Sequence, residues 1–247
     1  MKHFFTFDLN PFKMKSSFIA ISVVFLFCLS SCGEHINGNG KVVELQQSLD
    51  PFNSIDISGF FEIVLIEGKE GIEVIADENL HEHIDIRVKD QRLVIDSEDK
   101  YLDAEELTLR IYYKDLNEID VSGAIELTSE GVIETKRFRI EVSGACDGEL
   151  ELDAKELEID ISGGGEIDLA GRADRVDIRI SGAGEINGLQ LKSKDAQIDI
   201  TGAGEVELDV EKSLDISVTG AGEIRYSGDP EVTKKVSGAG EITQIKK

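Results

Sequence analysis

Three residue columns recur down this chain, and each could do chemistry. A Ser/Thr-Gly pair marks eight copies of a short phrase, with its glycine at Gly59, Gly123, Gly144, Gly163, Gly182, Gly202, Gly220 and Gly238. Three positions after that glycine every copy is acidic: Glu62, Glu126, Asp147, Glu166, Glu185, Glu205, Glu223 and Glu241. Evenly spaced carboxylates can ligate a hard cation such as Ca2+, which takes oxygen ligands at about 2.4 Å. A cation ladder over Glu166, Glu185, Glu205, Glu223 and Glu241 is one reading; a solvated or backbone-capping acidic edge is the plainer one. No other cofactor is implied. Just before the marker stands a hydroxyl: Ser58, Ser122, Ser143, Ser162, Ser181, Thr201, Thr219 and Ser237. A nucleophile needs a base, and the histidines, His3, His35, His81 and His83, fall outside these repeats. Hydroxyls that donate to one another up a stack are the expectation instead. His81 and His83 lie two apart with no Cys partner, which is poor metal-site spacing.

The elements that must hold these columns follow from the repeat. The phrase reads ISGGGEI at 161–167, ISGAGEI at 180–186, ITGAGEV at 200–206, VTGAGEI at 218–224 and VSGAGEI at 236–242. From Gly123 its steps are 18 to 21 residues. A period near 20 with β-branched residues opening each copy signals a solenoid. Alternating stretches such as Leu157-Glu158-Ile159-Asp160-Ile161 carry the period-2 pattern of a half-buried strand. Gly163, Gly182, Gly202, Gly220 and Gly238 then make the structural turn, with the following Gly-rich residues, Gly204 and Gly222 among them, expected at positive φ. Polar stretches such as Gly171–Asp174 close the coil. The expected fold is all-β: a parallel right-handed β-helix with coils of about 18–21 residues and an irregular N-terminal capping part. Between Gly59 and Gly123 the phrase is missing, and three further coils would fit there. Lys89-Asp90-Gln91 reads as a hairpin turn and Asp77–His83 as one helical turn. Phe61, Ile125 and Cys146 stand where later copies have Gly, which implies a different turn in the early copies and makes Cys146 a small core residue.

The first residues read as an address. Lys2, Lys13 and Lys15 precede an apolar run from Phe18 to Leu29, too short to span a bilayer but suited to a signal-peptide core. Leu29-Ser30-Ser31-Cys32 resembles a bacterial lipobox, which implies cleavage before Cys32 and lipid on its thiol. With Gly33 after it, the outer membrane is the expected destination. The division is then 1–31 signal peptide, 32–46 Gly-rich tether, and 47–247 β-helical domain. Net charge is −24, and removing residues 1–31 makes the chain more acidic still. That argues against nucleic acid as a partner and against direct adsorption to anionic lipid. With Cys28 in the leader and Cys32 lipidated, Cys146 has no disulfide partner.

The ISGAGEI phrase, the opening Phe52-Asn53-Ser54-Ile55-Asp56-Ile57-Ser58-Gly59 and the ending Tyr226-Ser227-Gly228-Asp229-Pro230 followed by VTKKVSGAGEI resemble the bacterial family described as putative auto-transporter adhesin, head GIN domain. It is common in lipoproteins of the Bacteroidetes type. The resemblance spans about Phe52 to Ile245 and implies a β-helical adhesion module. The leading expectation is a non-catalytic, lipid-anchored envelope protein that presents flat β faces to an envelope protein or glycan, with a homo-oligomer left open. One alternative is a pectinase-like enzyme with Asp160, Asp177 and Asp199 as paired acids on successive strands. Another is an envelope sensor or accessory lipoprotein.

Overall fold

The computed structural model describes residues 35–97 and 101–246. The signal peptide and Cys32 lie outside these residues. The chain forms a β-solenoid of about 7 turns. Its regular part is a stack of long bent strands, Ala124–Val142, Ala145–Ile161, Gly164–Ile180, Ala183–Ile200 and Ala203–Val218, each paired in parallel with the next. Two shorter coils of strand, Ala221–Ser227 with Glu231–Val236 and then Ala239–Gln244, continue the stack.

Parallel in-register pairing puts like residues above like, and this builds the core. Ile57, Val121, Val142, Ile161, Ile180, Ile200 and Val218 form one inward column, and Ile119, Ile140, Ile159, Ile178, Ile198 and Ile216 another. All are 0% or 1% exposed. Alternation along each strand sends the intervening acids outward, as the period of two requires. The second of these columns ends at Lys234, which pairs with Ile216 and is exposed.

The uneven repeat length is taken up away from the marker corner. Register shifts occur between Thr128 and Val132, between Asp168 and Ala170, and after Gly188 and Ser193, whereas the Gly-Ala-Gly-Glu corner stacks without a slip. Bulges on the far side therefore absorb the extra residues. The expected polar turn at Gly171–Asp174 is a bend inside the strand Gly164–Ile180, with Gly171 at φ 98°.

The N-terminal part departs from expectation in its order. Gly123 stacks directly on Gly59, so the 64-residue gap does not hold three intervening coils. Instead Ser54–Ser58 pairs with Glu118–Val121 and Phe60–Glu67 with the start of Ala124–Val142, forming the coil below them, and Arg92–Asp96 with Leu107–Tyr113 form a coil beneath that. The chain runs down and then returns. Antiparallel strands Asp85–Lys89, Gly71–Asp77 and Val42–Ser48 finish this cap. The hairpin turns at Asp90 and Gln91, both at positive φ (50° and 62°), and a 3-10 turn covers His81–His83. The tether expected over 32–46 is part of the fold from His35. His35–Asn37 pairs with Tyr101–Asp103 and Val42–Ser48 with Gly71–Asp77. Asp77, fully buried, accepts from the N–H groups of Gly40 (2.5 Å) and Glu105 (3.1 Å), which fastens the segment down.

Candidate functional site

The marker corner is the surface on which the sequence columns meet. Gly163, Gly182, Gly202, Gly220 and Gly238 lie one above another there, and their role is close approach. A Cβ on Gly182 would stand 2.0 Å from the Gly163 carbonyl oxygen, and one on Gly202 would stand 2.1 Å from that of Gly182. Gly204 and Gly222 do not take the positive φ expected of them. Their missing side chains leave room for core methyls: a Cβ on Gly204 would meet Ile180 Cδ1 at 3.1 Å. Of the early copies with a bulky residue at that position, only that of Phe61 changes the turn, with Gly59 at φ 130°; Gly123 and Gly144 stay out of the positive-φ region. Phe61, Ile125 and Cys146 stay in register with Gly165 and point into the core at 3–5% exposure. Burial pushes the Cys146 thiol up to about 12, so it stays protonated at neutral pH.

The hydroxyl column does not donate along itself. Ser122, Ser143 and Ser162 each donate to a backbone carbonyl of the coil below, those of Ile57, Val121 and Val142, at 3.3–3.5 Å. These three hydroxyls therefore stitch their coils to the backbone below.

Glu62, Glu126, Asp147, Glu166, Glu185, Glu205, Glu223 and Glu241 stand in unbroken adjacent register. Their mutual repulsion is visible at Glu166, held above the usual carboxylate range chiefly by Glu185, with burial, Asp147 and Asp168 adding to it. Arg225 relieves one end, reaching Glu223 at 3.5 Å and also bonding Glu207. Among the described residues no three His, Cys, Asp or Glu side chains converge as a metal-ligand group. The carboxylates form a line instead, along one rim of an open groove of about 880 Å³ floored by Ala183, Ala203, Ala221 and Ala239. A second recess of about 770 Å³ shares Gly165 and Glu166 with it and carries the groove down to Phe60 and Tyr101. Those two aromatics stand out only once folded, although Phe60 is legible as the break in a column otherwise Ala or Gly.

The acids of the enzyme alternative lie on the outer face, as expected, but each is engaged. Asp160 is bridged by Arg139 (2.9 Å) and Arg179 (3.3 Å), and Asp199 accepts from Gln197 (2.9 Å). Asp177 is paired with Arg179 at 3.1 Å only as an ion pair: its buried Oδ1 accepts no hydrogen bond, and burial raises its carboxyl above the ordinary range. Arg179 also holds Glu158 at 2.7 Å and keeps that carboxyl below its ordinary range. Sequence reasoning missed the links from Arg139 and Arg179 to Glu158 and Asp160 because they cross from one coil to the next. His81 bonds the Val43 and Ala76 carbonyls (3.2 and 3.3 Å), a structural use in the cap.

Comparison with other proteins agrees with this architecture. Residues 51–230 match the family model described as putative auto-transporter adhesin, head GIN domain. The chain belongs to this head GIN family. Its fold matches that of a putative adhesin from Bacteroides fragilis, with TM-score 0.81 and 24% identity over 85% of this chain and 100% of that one. A putative adhesin from Parabacteroides distasonis matches at TM-score 0.68 and 25% identity, covering 86% of this chain and 100% of its own. A protein from the same species described as putative lipid binding matches at 0.70 and 23%, again over 86% and 100%. No curated protein matches the chain. The family description supports an adhesion-type module of the cell envelope or surface.

Proposed function

We propose that this head GIN protein is a non-catalytic, exported interaction module, tethered through lipid on Cys32 to the outer membrane, that binds an extended partner along its marker-corner groove. The observation that carries the reading is the groove itself. Its acidic rim repeats with every coil from Glu62 to Glu241, and its Ala floor repeats from Ala183 up to Ala239. A surface that repeats along its length matches an extended or repeating partner better than a compact substrate. The enzyme reading is disfavoured because Asp160 is bridged by two arginines, so it is not free to shuttle a proton.

Two measurements test it. Cys32→Ser should abolish palmitate labelling and release the protein from the membrane fraction; continued labelling would remove the anchor. Replacing Ala183, Ala203 and Ala221 with Arg fills the groove without touching the core. It should abolish attachment of cells to whichever surface the wild-type protein supports, with the melting temperature kept. Undiminished attachment would sink the groove reading.

A further inference from the structure

We infer that the foot of this groove is a binding site for the cationic side chains of a basic polypeptide segment. Phe60 occupies the column that elsewhere is Ala or Gly, so its ring projects where the floor would otherwise continue. It is 48% exposed. Tyr101, 45% exposed, meets it edge-on at 5.2 Å between ring centroids, and His35 stacks on Tyr101 at 5.2 Å. His35 is held in that place by Asn37 (3.2 Å) and lies 3.6 Å from Asp103. Phe60 and Tyr101 are the aromatics among the exposed large hydrophobics of the described residues, and they stand side by side.

The charges around the rings are of one sign. Glu62, Asp103, Glu105, Glu106, Glu126 and Asp147 line the same recess, and among the described residues no Lys or Arg does. An aromatic face carries negative quadrupole potential, so rings and carboxylates attract the same ligand, a large soft cation. A bare metal ion uses only the oxygens and gains nothing from two exposed rings. Anionic glycans and phosphate are repelled by the carboxylates. Lys and Arg combine an ammonium or guanidinium head for the acids with a methylene stem that lies on the rings. This inference rests on the reading of the groove as an interaction surface and names the partner chemistry at its lower end.

The test is fluorescence anisotropy with the full chain in detergent, titrated into fluorescein-labelled deca-arginine and deca-lysine at physiological salt. An acidic protein attracts any polycation, so the decisive variants leave its charge unchanged. Phe60→Ala with Tyr101→Ala should weaken deca-arginine binding by at least about tenfold, while Tyr101→Trp should retain or strengthen it. Glu223→Gln with Glu241→Gln, which removes two charges at the far end, should change affinity less than about twofold. Both rings are half in solvent, so an unchanged melting temperature checks that the alanine variant folds. The proposal falls if the aromatic variant binds like wild type, if the far-end variant loses as much, or if wild type binds neither peptide. Oligomers of glucosamine that bind through the same two rings while the peptides do not would also overturn it. Failure here with attachment still blocked by the Ala→Arg variants would leave the groove reading intact; undiminished attachment in those variants would sink the groove itself.

Discussion

Gly182→Ala is the substitution that most directly probes what holds the coils together. The added Cβ would stand 2.0 Å from the Gly163 carbonyl oxygen and 2.4 Å from that of Ser162, both backbone atoms that no rotamer change can move. Bringing the contact to ordinary van der Waals separation parts the coils locally by more than roughly 1 Å. The corner hydrogen bonds there, Ser181 N–H to Ile161 and Ala183 N–H to Gly163, are 2.8 and 2.9 Å and would be stretched out of range. At about 1 kcal/mol for each bond and about 1–3 kcal/mol for overpacking, the expected cost is about 3–5 kcal/mol. For a domain of this size that lowers Tm by about 10 °C. Two controls separate the causes. Gly204→Ala meets the Ile180 side chain at 3.1 Å, which can give way, so a loss under about 1.5 kcal/mol is expected. Gly131→Ala has open space but φ at 91°, so only the backbone penalty of about 1–2 kcal/mol applies. Urea and thermal unfolding followed by circular dichroism read all three. If Gly182→Ala is no more damaging than either control, the close-approach account of the corner is wrong.

Three further outcomes are expected. Glu166 is held above its usual range, so its proton is favoured by folding: that contribution is present at low pH and lost as pH rises through the folded pKa. Glu166→Gln with Glu185→Gln should therefore raise Tm at pH 7, with the gain vanishing in acid or high salt; millimolar Ca2+ should raise the wild-type Tm no more than Mg2+, and a saturable Ca2+-selective shift would restore the cation ladder. Glu158 has the opposite sign, since Arg179 depresses it: its stabilisation is present above the ordinary Glu range and lost as pH falls through the folded value, so Arg179→Gln should lower Tm at neutral pH and matter little below that window. Cys146 should resist thiol reagents in the folded protein and react at the normal rate in denaturant, because burial both shields it and raises its thiol to about 12; fast reaction in the native state would contradict its core placement.

Much of the regular stack could be read from the residues alone, because in a parallel solenoid the alignment of the repeats is also the strand register. Aligning Glu166 with Glu185 and Glu205 already stated which side chains touch, and the alternation around Ile159, Ile178 and Ile198 already stated which face is buried. What the repeats could not encode was anything that depends on pairing across long stretches of dissimilar chain. The coil of Arg92–Asp96 and Leu107–Tyr113 lies beneath an earlier one, and no local pattern records that descent. His35, Phe60 and Tyr101 come together for the same reason: Tyr101 lies between the two strands of that lower coil and His35 pairs alongside it. Identity also hid mechanism. A glycine at a corner suggests positive φ, but Gly182 is required because a neighbouring backbone passes within contact of its α-carbon, a distance set only when one coil is laid on another.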